Sequence, residues 1–102
     1  MNKPYYAIIF TSLLSESIEG YNEMAIKMET LAKQQPGYLG IESAHENIGI
    51  TISYWESLEA IKNWKDNVDH QAAQKIGKEK WYQTYKVRVC KVEREYEFGT
   101  TL

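Results

Sequence analysis

His70 is one of two histidines in the chain, and it follows closely on an aromatic, helix-patterned stretch. Imidazole is the side chain that changes charge near neutral pH, so it could take a proton from an acidic hydroxyl. A neutral ring could equally ligate a haem iron. Upstream, Trp64 offers an indole N–H and Asn63 an amide, donors able to hold a carbonyl or phenolate oxygen. Tyr6, Tyr38, Tyr54 and Tyr85 could line a cavity with hydroxyls, and Arg88 could pair with a substrate anion. Each has a plainer reading as well. His70 beside Asp69 can be a surface residue, Trp64 can be core, and buried tyrosines often satisfy backbone groups. Arg88 can belong to a salt bridge between subunits. Cys90 reads as a small inert hydrophobe, and Met24 and Met28, at helical spacing, read as core. There is no glycine-rich phosphate loop, no Ser-His-Asp order and no paired-histidine spacing, so no metal is expected.

These groups sit in a chain of 102 residues, enough for one domain with one core. An ordered body over about 4–96 and a frayed tail over 97–102 are expected. A formal charge of −2 gives no electrostatic case for nucleic acid or an anionic membrane. Eight Tyr and three Trp are many for this length, which raises the question of what they all pack on. The single cysteine excludes an intrachain disulfide and fits a reducing compartment. Neither a secretory leader nor a membrane-length apolar run is evident, so the expected location is cytoplasmic.

The elements that must position the candidates follow from periodicity. Tyr5 to Leu13 is aromatic and β-branched on both faces, which predicts a central strand. Tyr21, Met24, Ala25, Met28, Leu31 and Ala32 recur at helical spacing, and Pro36-Gly37 ends that helix. Tyr38 to Glu46 and Ile50 to Trp55 alternate as two strands around a tight turn at Asn47-Ile48-Gly49, with Asn and Gly supplying positive φ. Ser57 is a fitting N-cap for a helix whose inward stripe is Leu58, Ile61, Trp64, Lys65 and Val68. Asn63, Asn67 and His70 would share the opposite stripe if that helix ran on unbroken. Asp69, itself a capping residue, predicts a break near 67–69, with His70 opening a short second helix and its ring kept neutral by the helix N-terminus. Trp81 to Tyr96 reads as a long last strand, its change of parity requiring a bulge near Cys90-Lys91.

The order β-α-β-β-α-β predicts an α+β, ferredoxin-like fold: a four-stranded antiparallel sheet with both helices on one face. No strand has a cleanly polar parity, so the other face is left apolar with no third layer to cover it. Two such sheets closing face to face would form a dimeric α/β barrel, which makes a homodimer the expected assembly.

The run Ser53-Tyr54-Trp55-Glu56-Ser57-Leu58-Glu59-Ala60-Ile61, followed by Trp64 and His70, resembles the antibiotic biosynthesis monooxygenase domain family. Gln35-Pro36-Gly37-Tyr38-Leu39-Gly40 and the closing Trp81-Tyr82…Tyr85-Lys86-Val87-Arg88-Val89 extend the likeness over nearly the whole chain. The resemblance implies a dimeric barrel with a pocket between each sheet and its helices. It implies, for some members, oxygenation of a small aromatic, quinol or enolic compound by O₂ without metal or flavin. Other relatives bind haem through a helix histidine and break the ring. Those carry an asparagine on the first strand, where this chain has Thr11 and Ser12. Three functions stay in view: a cofactor-independent monooxygenase, a non-catalytic hydrophobic-ligand-binding or stress-response module, and a haem-binding or haem-degrading enzyme.

Overall fold

The computed structural model describes residues 3–70 and 80–99, with only the backbone at 69 and 70. The elements are β1 (Tyr5–Leu14), α1 (Tyr21–Lys33), β2 (Tyr38–His45), β3 (Gly49–Trp55), α2 (Leu58–His70) and β4 (Tyr82–Val92). They form the expected four-stranded sheet, in the order β2-β3-β1-β4, with every neighbouring pair antiparallel. β1, apolar on both faces, is central, as its composition requires.

The register sorts side chains between the two faces. Tyr6 lies opposite Trp55, Ile8 opposite Ser53 and Phe10 opposite Thr51. Trp55 is wholly buried (0 % exposed) and clusters with Ala32 of α1 and Ala60 and Ile61 of α2, so this parity faces the helices. On β4 the same side carries Tyr85, Val87 and Val89. The opposite side carries Tyr5, Ala7, Ile9 and Thr11 of β1, Ile50, Ile52 and Tyr54 of β3, and Lys86, Arg88 and Cys90 of β4.

Four local expectations need correction. The helix does not break near 67–69: α2 continues to His70, so helical continuity overrides the capping preference of Asp69. The short second helix proposed beyond it lies outside the described residues, apart from His70 itself. The parity change of β4 sits at Gln83, where Leu13 pairs with Thr84 but Leu14 with Tyr82, and not at Cys90-Lys91. A further shift makes Leu39 the extra residue of β2, which lets Tyr38 join Ile41 on the helix side. Finally, Gly49 is not a positive-φ turn residue but the first residue of β3. A Cβ there would meet His45 Cδ2 at 2.9 Å and Ser12 Oγ at 3.2 Å, so a larger residue would have to push the exposed His45 ring aside.

Gly37 does take the left-handed conformation expected after Pro36, at φ 87°. Its carbonyl accepts from the Glu56 N–H at 2.8 Å, and a Cβ on it would stand 2.7 Å from that of Ala60. This close approach seats the start of α2, where Ser57 Oγ accepts from the Ala60 N–H at 3.1 Å as an N-cap.

Candidate functional site on the helix side of the sheet

That seat fixes how α2 faces the sheet. At 100° per residue, Asn67, Ala60, Trp64, Val68 and Ile61 fall within an arc of about 120°. All five are buried or half-buried, whereas Leu58 is 55 % exposed and Lys65 is exposed. The inward stripe is therefore rotated away from Leu58 and Lys65 and towards Asn67. A small residue held against a glycine brings the helix close on that side, and the larger Leu58 is turned out.

Trp64 stacks on Trp55, with ring centroids 5.9 Å apart and planes 23° from parallel. Tyr38 meets Trp55 edge-on at 5.7 Å, and Tyr6 and Ile8 pack against the same cluster. The Trp55 indole donates to Ser53 Oγ at 2.9 Å, so its N–H is already used. A second aromatic group stands towards the other end of the same face. Phe10 stacks on Tyr85 at 5.2 Å and meets Tyr82 edge-on at 5.3 Å, while Tyr21 of α1 packs against both Tyr82 and Trp81. Trp81 donates to the Glu19 carbonyl at 2.9 Å, tying the β1–α1 connection to the start of β4. Burial, reinforced by the neighbouring Tyr21 and Tyr85 phenols, holds the Tyr82 hydroxyl well above its ordinary pKa of 10.0.

Beside these groups the helix side of β4 is about half exposed: Val87 is 45 % and Val89 50 % exposed, next to Phe10 and Ile8. The result is an apolar shelf with tyrosines at one end and Trp64 at the other. One polar atom on the inward arc stands out: Asn67 Oδ1 is buried and has no hydrogen-bond partner.

The candidates from sequence divide accordingly. Tyr6, Tyr38, Tyr85 and Trp64 come to the helix side. Tyr54 and Arg88 belong to the opposite face, where the Tyr54 hydroxyl donates to Glu42 at 2.6 Å. Asn63 is exposed on α2 and does not join the others. His70 closes α2 instead of opening a helix, so the N-terminal dipole invoked for a neutral ring is not there. His45 is exposed on β2, against Gly49. Two hollows lie elsewhere: one of about 240 Å³ between Tyr5 and residues 92–96, and one of about 490 Å³ beside Ser15, Lys80 and Gln83. Among the described residues no cluster of His, Cys, Asp and Glu suited to a metal ion occurs, and no helix is long and apolar enough to cross a membrane. Sequence reasoning missed Asn67, Phe10 and the Val87–Val89 shelf. The available signal for Asn67 was Ala60, whose small side chain allows the close contact with Gly37 that sets the helix rotation.

The sheet, its strand order and the two helices on one face define a ferredoxin-like protein of the antibiotic biosynthesis monooxygenase type, and residues 4–76 match the model of that family. The chain belongs to it. It is 50 % identical over 97 residues to the uncharacterized protein YqjZ of Bacillus subtilis, covering 93 % of this chain and 85 % of that one. Among solved structures it is similar to SnoaB, a cofactor-independent oxygenase from Streptomyces nogalater. There the TM-score is 0.75 at 9 % identity, over 89 % of this chain and 95 % of that one. Rv0793 from Mycobacterium tuberculosis matches with a TM-score of 0.78 at 12 % identity, over 93 % of this chain and all (100 %) of the other. At these identities the structural likenesses speak to fold alone.

Proposed function

We propose that the protein is a homodimeric, cofactor-independent oxygenase that acts on a small hydroxylated aromatic, quinol or enol. The observation that carries this reading is the open shelf of Phe10, Val87 and Val89 between two aromatic groups, on the helix side of the sheet. Flat apolar walls suit a flat apolar substrate, and an electron-rich ring can itself reduce O₂. For a naphthol the balance closes without another reductant. One atom of O₂ becomes the new quinone oxygen, the other leaves as water, and the ring supplies all four electrons. Trp64 forms an end wall, Tyr6, Tyr38 and Tyr85 line the approach, and His70 receives the hydroxyl proton as the ring gives up its first electron. Family membership and the oxygenase activity of SnoaB support this reading.

An oxygen electrode tests it. With hydroxylated naphthalenes and no added metal or flavin, one O₂ should be consumed per quinone formed. His70→Ala should slow the reaction about 100-fold, the lower end for loss of a general base. Trp64→Ala should lower the rate as well. No uptake across the panel, or uptake indifferent to both substitutions, would remove the oxygenase reading.

A further inference from the structure

After Val92 the chain leaves the sheet as an arm, and its two large aromatic side chains stand in water: Tyr96 is 87 % and Phe98 100 % exposed. The arm is nevertheless held in place. Tyr5 donates its hydroxyl to Glu95, and the charges of Glu95 and Glu97 both bear on the Tyr5 phenol. That of Glu95 reaches Tyr54 as well. Tyr5 pairs with Val92, and its ring meets Tyr54 on the side of the sheet away from the helices. A straight continuation of β4 would carry Glu95 about 10 Å further along the strand direction, out of reach of that hydroxyl. The arm is therefore bent towards the face that the helices do not cover. Between the arm and that face lies the hollow of about 240 Å³, with Tyr5, Tyr96, Val92, Lys3 and Arg94 in its lining. Phe98 does not fold back into the hollow of its own chain, since it is wholly exposed. One end of one face thus carries both a protruding phenylalanine and an aromatic-walled recess.

We propose that the arm clasps a second copy of this chain, with Phe98 of each protomer entering the hollow beside the partner's Tyr5. The inference rests on the homodimer of the proposed function and adds the contact that closes its end. A knob and a hole on the same surface are what a two-fold contact requires, since each copy then gives and receives the same residue. With the two faces paired about an axis along the strands, both arms come to one end of the dimer. Tyr5 belongs to β1, one of the two central strands, so it stands beside that axis. The three residues from Glu95 to Phe98 can span about 10 Å, enough to cross it. The area is also of the right size. Tyr96 and Phe98 together would hide roughly 300–500 Å² per protomer, a large part of the roughly 800 Å² that a standard interface takes from each partner.

Sedimentation equilibrium of the whole protein reads the clasp. Phe98→Ser should weaken the dimer about thirtyfold, as loss of a buried aromatic anchor does. Its far-ultraviolet circular dichroism should stay that of the natural protein, because the side chain is wholly exposed in the single chain. Tyr5→Phe, which frees the arm by removing the bond to Glu95, should weaken the dimer too, but less. Cross-linking reads position. A Phe98→Cys chain mixed with a Lys3→Cys chain, both also carrying Cys90→Ser, should be joined by a short bis-maleimide into mixed dimers. Ile26→Cys, exposed on α1, should not serve in place of Lys3→Cys. A dimer indifferent to Phe98→Ser, or equal linking through Ile26→Cys, would overturn the clasp and leave the homodimer standing. A natural protein that sediments as a monomer would remove both.

Discussion

Tyr54 and Tyr5 meet edge-on, 5.9 Å apart, on the face away from the helices, and each donates its hydroxyl to a carboxylate: Tyr54 to Glu42 and Tyr5 to Glu95. A phenol that donates to a carboxylate resists ionisation, because the phenolate would lose the bond and face a like charge. The hydrogen bond to Glu42 is the largest cause pushing Tyr54 up to about 12, and the bond to Glu95 likewise raises Tyr5. Tyr82 is raised on the helix side, chiefly by burial. With folded values above the ordinary 10.0, the folded protein holds protons that the unfolded chain releases once the pH passes 10. The stability these groups lend is complete below pH 10 and is lost as the pH climbs through their folded values, about 12 for Tyr54. Denaturant melts across that window should therefore show stability falling with pH, and Tyr54→Phe and Tyr82→Phe should each make the fall shallower. Slopes equal to that of the natural protein would show that the phenols titrate normally. Which residues were tyrosines was plain from the sequence, and so was their place on strands. The side each one faces was not always plain, because the extra residues at Leu39 and Gln83 shift the alternation, and their pairing partners are far away in the chain.

Among the elements, α2 shows where local pattern suffices and where it fails. Its existence, its start at Leu58 and its Ser57 cap follow from short-range physics, and so do the strands and α1. Its rotation does not. Leu58 looks like a core residue by size, yet the contact between Gly37 and Ala60 decides the orientation, and that contact joins segments more than twenty residues apart in sequence. Sequence pattern alone therefore sets Asn67 on the outer side of the wheel, and the capping preference of Asp69 is one that helical continuity outweighs. Substitutions can read the rotation directly. Gly37→Ala forces an L residue into the left-handed region and drives its methyl into Ala60, and should destabilise by about 2 kcal/mol or more. Ile61→Ala should cost about 2–5 kcal/mol, whereas Leu58→Gln should stay within about 0.5 kcal/mol. Chemical denaturation of the three variants checks this; a large loss for Leu58→Gln together with a small one for Ile61→Ala would put the helix back in the orientation that sequence alone suggested.

At the scale of the molecule, the chain carries more surface than its mass explains. It exposes 7829 Å², while a compact monomer of 11.9 kDa is expected to expose roughly 5,900 Å². Part of the excess is the arm after β4, where Tyr96 is 87 % and Phe98 100 % exposed. The sheet face away from the helices is half-exposed at Ile9, Ile52 and Tyr54, and its pattern argues for how the proposed homodimer is arranged. Glu42 pairs with Ile52, Ile52 with Ile9 and Ile9 with Arg88, so one row across the sheet reads acid, isoleucine, isoleucine, base. A two-fold axis running along the strands, between two facing sheets, would set Glu42 against the partner's Arg88 and Ile52 against the partner's Ile9. An axis across the strands would instead bring Glu42 against the partner's Glu42 and Arg88 against the partner's Arg88. Like charges at a desolvating rim oppose association, so the row favours the first arrangement. In sedimentation equilibrium the natural protein should be a dimer, and Ile9→Asp should release monomers by placing a charge at the centre of the face. Arg88→Glu should weaken the dimer about tenfold by setting two acids together at each rim. Combining it with Glu42→Lys should restore most of that loss, because the charges then attract again with their places exchanged. A double variant no tighter than Arg88→Glu alone would show that Glu42 and Arg88 do not meet across the interface.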